Sequence, residues 1–318
     1  MRVNVQLIEA ETGAHLWAQR FDKPVADLFV MQDEIVARIA NELKAEIVSV
    51  EARRAERTAN PDSLDYWLRG FDQINKGVNP ESLAKARECF SRALEFDPNN
   101  VDALVSVVFV DTIFAQTYAL ADRLQRIAAA EKLVIRALSL APRNPMAHYC
   151  LGVILILTRR AQQGIDELKL ALSLDANFAF AHAHIGFAEI LLGRAEEAEA
   201  HIMEALRLSP RDISAYVWYA FLGIAKLLLG QDQVAVDWLR KSIEANRNYP
   251  VAQFHCAAAL ALAGRIDEAR LEMQAGLAGA PDFTLRRYED GLISDDPRYV
   301  AQRERILQGL RLAGMPEA

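Results

Sequence analysis

The feature that most constrains this fold is a period. Met146-Ala147-His148-Tyr149-Cys150-Leu151-Gly152, moved forward by 34 residues, lands on Phe180-Ala181-His182-Ala183-His184-Ile185-Gly186. The same shift carries Gly164 onto Ala198, Leu168 onto Ile202 and Ala171 onto Ala205. A fixed period of this length describes stacked units, each unable to bury its apolar face alone. Two antiparallel helices approach closely only where small residues sit at their crossing, and the repeat supplies them. With the repeat numbered from 1 to 34, position 8 reads Gly152, Gly186, Gly223 and Ala257. Position 20 reads Ala86, Ala130, Gly164, Ala198, Ala235 and Ala269; position 27 reads Ala93, Ala137, Ala171, Ala205, Ser242 and Gly276. Phe90, Val134, Leu168, Ile202, Leu239 and Met273 at position 24 fill the remaining space. Pro98, Pro142, Pro210 and Pro281 close second helices, whereas Ala176 and Arg247 in the same place predict a longer helix or a different turn.

A 34-residue helix–turn–helix period is that of the tetratricopeptide repeat, which this chain resembles. The expected fold is all-α, a solenoid of about six repeats, preceded by a short β-hairpin and a helix. The domains expected are a hairpin and helix over 1–60 (the remnant of a small α/β domain), a superhelix over 61–283, and an irregular segment with a capping helix over 284–318. Tyr299, Ile306, Leu307 and Leu310 should close the last repeat. Repeat one carries extra residues around Asn79–Ser82, and repeat two carries more near Gln116–Gln125.

In such repeats the first helix lines a groove through positions 2, 5, 9 and 12. Those positions hold Met146, Tyr149, Val153 and Ile156, then Phe180, Ala183, Phe187 and Ile190. Repeat five gives Val217, Ala220, Ile224 and Leu227, and repeat six gives Val251, Phe254, Ala258 and Ala261. The lining is apolar, with none of the Lys, Arg or Asn of the carboxylate clamp that captures chaperone tails. Met146, Tyr149, Val153, Phe180, Ala183, Phe187, Val217, Ile224, Leu227 and Phe254 are the expected partner-binding residues. Three readings stay open: internal core of a tightly wound superhelix, a groove for an apolar helix or segment of a partner, or homodimer packing.

The first residues alternate as a half-buried strand does, with Val3, Val5 and Leu7 between Arg2, Asn4 and Gln6. Glu11-Thr12-Gly13 signals a turn into a second strand over His15–Phe21. A helix capped by Asp22 or Asp27 follows, its stripe formed by Leu28, Ile35, Ile39, Leu43, Ile47 and Val50. A lone hairpin is marginal and exposes edges, so the expectation is a piece of a longer architecture. Arg2–Ile8, Glu11–Asp22 and Gln32–Ile35 resemble the end of the small α/β domain that precedes such repeats in class III adenylate cyclases and winged-helix transcriptional regulators of bacteria. Leu64–Gly70 resembles the opening of their first repeat, and Asp296–Tyr299 with Gly309–Pro316 resembles their closing segment. The resemblance implies a non-catalytic scaffold, the regulatory repeat region of a signalling protein. The alternative is the non-catalytic half of a cyclase-like enzyme whose catalytic domain is absent from this chain. A homodimer through the hairpin edge is a third expectation.

Composition narrows the classes further. The 318 residues are 52% hydrophobic and 25% charged, which suits a buried core. A net charge of −7 offers no footprint for nucleic acid or an anionic membrane, and no partner of either kind is expected. Cys89, Cys150 and Cys256 form no CxxC pair, and with no secretory signal visible they point to the cytoplasm. The apolar run Ile213–Leu229 falls in register with the repeats, so no membrane span is expected. His182 and His184, two apart on a helix, chelate poorly, and His148 and His182 are packing residues at position 4. No phosphate loop, GxSxG elbow or HExxH appears, and no catalytic residue, metal or cofactor is expected.

Overall fold

The computed structural model describes residues 2–8, 13, 15–22, 47, 48, 50–52, 55, 60–117, 123–210 and 212–318. The Asp27 cap and the stripe residues Leu28, Ile35, Ile39 and Leu43 lie outside them. The chain forms two compact units, one over residues 1–103 with 207–209, the other over 104–206 and 210–318.

In the first unit, β1 (Arg2–Ile8) and β2 (His15–Asp22) pair antiparallel, with Arg2 opposite Asp22, Leu7 opposite Trp17, and an irregularity between Leu7 and Ile8. Where description resumes, the buried residues are Val48, Ala52 and Ala55, spaced as one helix face, while Ile47 is exposed. The apolar stripe expected through Ile47 is therefore rotated at this end. Small alanines take the covered positions and leave the larger side chain outside. Helices α1 (Ser63–Asn75) and α2 (Pro80–Phe96) form an antiparallel pair. Asp62 opens α1 with a reciprocal capping box through Asp65, and Asn79 caps Ser82 N at 3.0 Å ahead of Pro80. The extra residues of repeat one thus become a capped start for α2. Gly70 occupies position 8 here as well, with Phe90 filling the space a side chain would need.

The second unit continues α3 (Val101–Thr117) from Leu104 and adds α4 (Arg123–Leu140), α5 (Pro145–Leu157), α6 (Ala161–Leu174), α7 (Ala179–Leu191) and α8 (Ala195–Leu208). Next come α9 (Ala215–Leu228), α10 (Asp232–Ala245), α11 (Pro250–Leu262) and α12 (Ile266–Gly279), then α13 (Leu285–Asp290) and α14 (Pro297–Leu312). Part of the insertion in repeat two lengthens α3 to 17 residues and α4 to 18, against 13 in α5. Each first helix packs on its second, as α5 on α6 and α9 on α10, and successive first helices lie side by side. This is the all-α tetratricopeptide architecture that the period predicted.

The crossings work by exclusion. A Cβ on Gly152 would meet Gly164 O at 3.0 Å, and one on Gly164 would meet Gly152 O at 2.7 Å. Leu168, Ile202 and Leu239 are buried completely beside these crossings. Where proline is missing, the helix still ends: Asp175 Oδ1 accepts from Asn177 N, and Asn246 Oδ1 from Asn248 N, each at 2.9–3.0 Å. Asp97 Oδ1 receives Asn99 N in the same way beside Pro98. An Asx turn therefore closes the repeat at Ala176 and Arg247, and neither departure lengthens a helix.

The crossing carries a prediction. Gly164→Val should cost about 3 kcal/mol, because the new atoms meet backbone that cannot yield, whereas Ala198→Gly at the equivalent site should cost about 1 kcal/mol. Urea unfolding followed by circular dichroism measures both.

Candidate partner-binding face

The expected binding residues all lie on first helices of the second unit, and the structure sorts them into two groups. Tyr149, Val153, Ala183, Leu227 and Phe254 are buried, none above 3% exposed. Met146, Phe180, Phe187, Val217 and Ile224 are half-buried. Position 2 stays half-exposed in all four repeats, with Val251 completing the row, and position 9 does so only at Phe187 and Ile224. Positions 5 and 12 are buried throughout. Burial of the first group accords with internal core, and the second group leaves a half-buried apolar strip.

Helical spacing gathers aromatic rings around the open strip. Phe180 stands edge-on to Phe109 at 5.8 Å, to Tyr149 at 5.9 Å and to Trp218 at 5.6 Å. Phe187 stacks on Phe221 with centroids 4.4 Å apart. Phe178, at the end of repeat three, leans on Tyr149 at 5.2 Å. Edge-on and offset pairs fix ring orientation as well as burying area. Phe178, Trp218 and Phe221 fall outside positions 2, 5, 9 and 12, while Phe109 takes position 9 of repeat two. Aromatic enrichment at positions 3, 6 and 34 was the signal that could have found them.

One histidine sits inside this cluster. His184 Nδ1 lies 3.0 Å from Phe180 O and its Nε2 3.2 Å from Gln116 Oε1, with Phe221 edge-on at 5.8 Å. Burial pushes its pKa down to about 4. His255, one helix further, repeats the design with Nδ1 2.7 Å from Val251 O and Nε2 3.2 Å from Tyr288 Oη, and burial lowers it to about 4 too. His148 is held between Glu167 and Pro142 O, and His182 stacks on His201. Among the described residues no three His, Cys, Asp or Glu come together as a metal site. The thiols of Cys150 and Cys256 are buried, and burial raises both pKa values, that of Cys256 to about 12. Both behave as small apolar side chains.

The C-terminal segment departs from the expectation of a cap on the last repeat. Tyr299, Ile306, Leu307 and Leu310 are buried, as expected. However, α14 runs along the first-helix face, against α11 and also α9. A Cβ on Gly309 would meet Ala258 O at 2.6 Å, and Arg305 pairs with Asp232 at the head of α10. Before α14, Ser294 Oγ donates to Leu191 O at 2.5 Å, and Arg159 donates to Leu292 O at 3.1 Å. The segment thus returns past repeats three and four before running over five and six. At Gly309 it covers Ala258, the position-9 residue of repeat six.

Among the described residues no helix is long and apolar enough to cross a membrane. A tetratricopeptide-repeat family model matches residues 181–212, which is repeat four. "Putative adenylate cyclase 3" of Rhizobium meliloti is 32% identical over 168 residues, covering 51% of this chain and 28% of that protein. The transcriptional regulator HilA of Salmonella typhimurium is 26% identical, covering 55% of this chain and 30% of that protein. The chain therefore spans less than a third of the length of these curated relatives. Among solved structures, a thermophilic tetratricopeptide-repeat protein of Thermus thermophilus superposes with a TM-score of 0.50 at 20% identity, covering 62% of this chain and 98% of that one. That likeness shows the fold.

The two buried histidines set a pH dependence. Their folded pKa values lie below the unfolded value of 6.5, so the unfolded chain binds protons first as pH falls. Stability should be full above pH 6.5 and fall steadily toward pH 4. His184→Gln, which keeps a polar group but does not titrate, should flatten that slope in thermal unfolding followed at several pH values.

Proposed function

We propose that this tetratricopeptide-repeat protein is a non-catalytic regulatory scaffold of a bacterial signalling system, and that its open first-helix strip takes an apolar segment of a protein partner. The observation that carries this reading is the row of half-exposed apolar side chains, Met146, Phe180, Phe187, Val217 and Ile224. Beneath it Tyr149 and Trp218 stand edge-on to Phe180 and Phe221 stacks on Phe187, which holds the surface rigid. A preformed apolar strip loses little conformational entropy when a partner docks, and aromatic side chains provide large contact areas. The strip carries no cationic groups for a partner's terminal carboxylate. Recognition therefore rests on shape and apolar contact, with no cofactor.

The match to a cyclase-named and to a regulator-named protein supports placing the scaffold in signalling. It supports equally a second reading, in which the chain is the non-catalytic half of a cyclase-like enzyme. The two outer edges of the β1–β2 sheet, among the described residues, leave room for homodimerisation by strand addition. Sedimentation at several concentrations separates a monomer from such a dimer.

The strip has a direct test. Phe187→Glu with Ile224→Glu places two carboxylates on it, and partner capture in pull-downs followed by quantitative mass spectrometry should fall at least tenfold. Far-UV circular dichroism should stay unchanged, because both side chains are only half-buried. Unchanged capture by the folded double variant would contradict the reading.

A further inference from the structure

The face next to the open strip already has an occupant, and the way it is held indicates what else fits there. Segment 292–312 touches repeats three to six through chemically distinct contacts. Arg159 donates to Leu292 O, Ser294 to Leu191 O, and Arg305 to Asp232. Arg303, itself buried, lies over the Tyr288 ring at 4.5 Å and donates to Tyr288 O. Four apolar side chains of the segment are buried, Tyr299, Ile306, Leu307 and Leu310, and the α11 helix it packs on presents the small Ala258 to it. Gly309 lets the two backbones touch.

Three details mark this contact. Asp232 Oδ1, Gln302 Oε1 and Arg305 Nε are buried without a hydrogen-bond partner. Each such atom costs free energy that a well-matched core does not forfeit. Alanine against a single helix buries little apolar area for the ordering it demands. In addition, Arg159 holds a left-handed φ of 64°, where repeats four, five and six place Gly193, Gly230 and Gly264. Arg159, whose side chain reaches Leu292 O, thus holds a conformation that costs a side-chain-bearing residue energy.

We propose that α14 is an exchangeable internal ligand, and that the α9–α11 face is a second docking surface for an amphipathic helix of a partner protein. The partner helix carries a glycine or alanine opposite Ala258, aliphatic residues three and two positions before it and one after it, and an arginine four positions before it directed at Asp232. In the free chain α14 fills this place, so a partner binds by displacing it, and the covered face reports occupancy to the C-terminus. The inference rests on the scaffold reading above but concerns a different strip of the same face.

The test uses the full chain and a fluorescein-labelled peptide of residues 296–316, read by anisotropy. Wild-type chain should bind the peptide weakly, because its own α14 competes. Gly309→Leu cannot seat its own α14 and should bind the peptide at least tenfold more tightly. A peptide carrying the same G309L change should bind neither chain. The pair Arg159→Gly with Arg305→Ala removes two tethers without a clash and should shift binding in the same direction. If Gly309→Leu unfolds the repeats, that pair decides the matter. A folded chain of either kind that binds no better than wild type overturns the proposal and leaves α14 as a fixed cap. Phe187→Glu lies outside the α14 contact, so lost partner capture with unchanged peptide binding would separate failure of the open strip from failure of this one.

Discussion

The contact between Gly152 and Gly164, carbonyl against the place where a side chain would be, fixes the geometry on which everything else depends. With a Cβ 2.7–3.0 Å from the opposing carbonyl oxygen, neither position tolerates a side chain. The two helices can therefore pack backbone to backbone, and Leu168 is driven completely into the remaining gap. Repetition of that crossing at Gly186 and Gly223 brings successive first helices side by side. Only then do residues one repeat apart in sequence, Met146, Phe180 and Val217, form one row.

That row is the part of the face left open, and α14 covers a neighbouring part of the same face on repeats five and six. Position 12 side chains are buried in every repeat, and position 9 is covered in repeat six, where Gly309 meets Ala258. Position 2 keeps half-buried Phe180 and Val217. One surface is thus divided by chemistry: an aromatic strip with fixed ring orientations, and an alanine-lined strip closed by a helix with incomplete polar satisfaction. Buried neutral His184 and His255 sit beneath the two strips respectively, so both soften together as pH falls below 6.5.

Much of this was legible in the sequence because small residues are a direct record of close approach. Positions 8, 20 and 27 located the helix pairs, and the strand alternation of Val3, Val5 and Leu7 located the paired β1 and β2. Individual burial on the groove was not legible. Tyr149 and Phe180 both occupy groove positions, but only Tyr149 is covered, and that depends on segments distant in sequence. The course of α14 was missed for the same reason, although Gly309 inside a helix was a usable signal. Glycine there costs about 1 kcal/mol relative to alanine, and a close backbone contact explains its presence. The Asx turns at Asp175 and Asn246 show the opposite case, in which side-chain chemistry replaced an expected proline.

The central claim is that a rigid repeat array carries a separable C-terminal helix on its binding face. Hydrogen exchange of the full chain, read by mass spectrometry, tests it most directly. The account predicts that amides of residues 297–312 exchange through a local opening well below the global unfolding free energy, while α5 to α11 exchange only at the global limit. Exchange of α14 at the same rate and with the same denaturant dependence as α7 and α11 would contradict it.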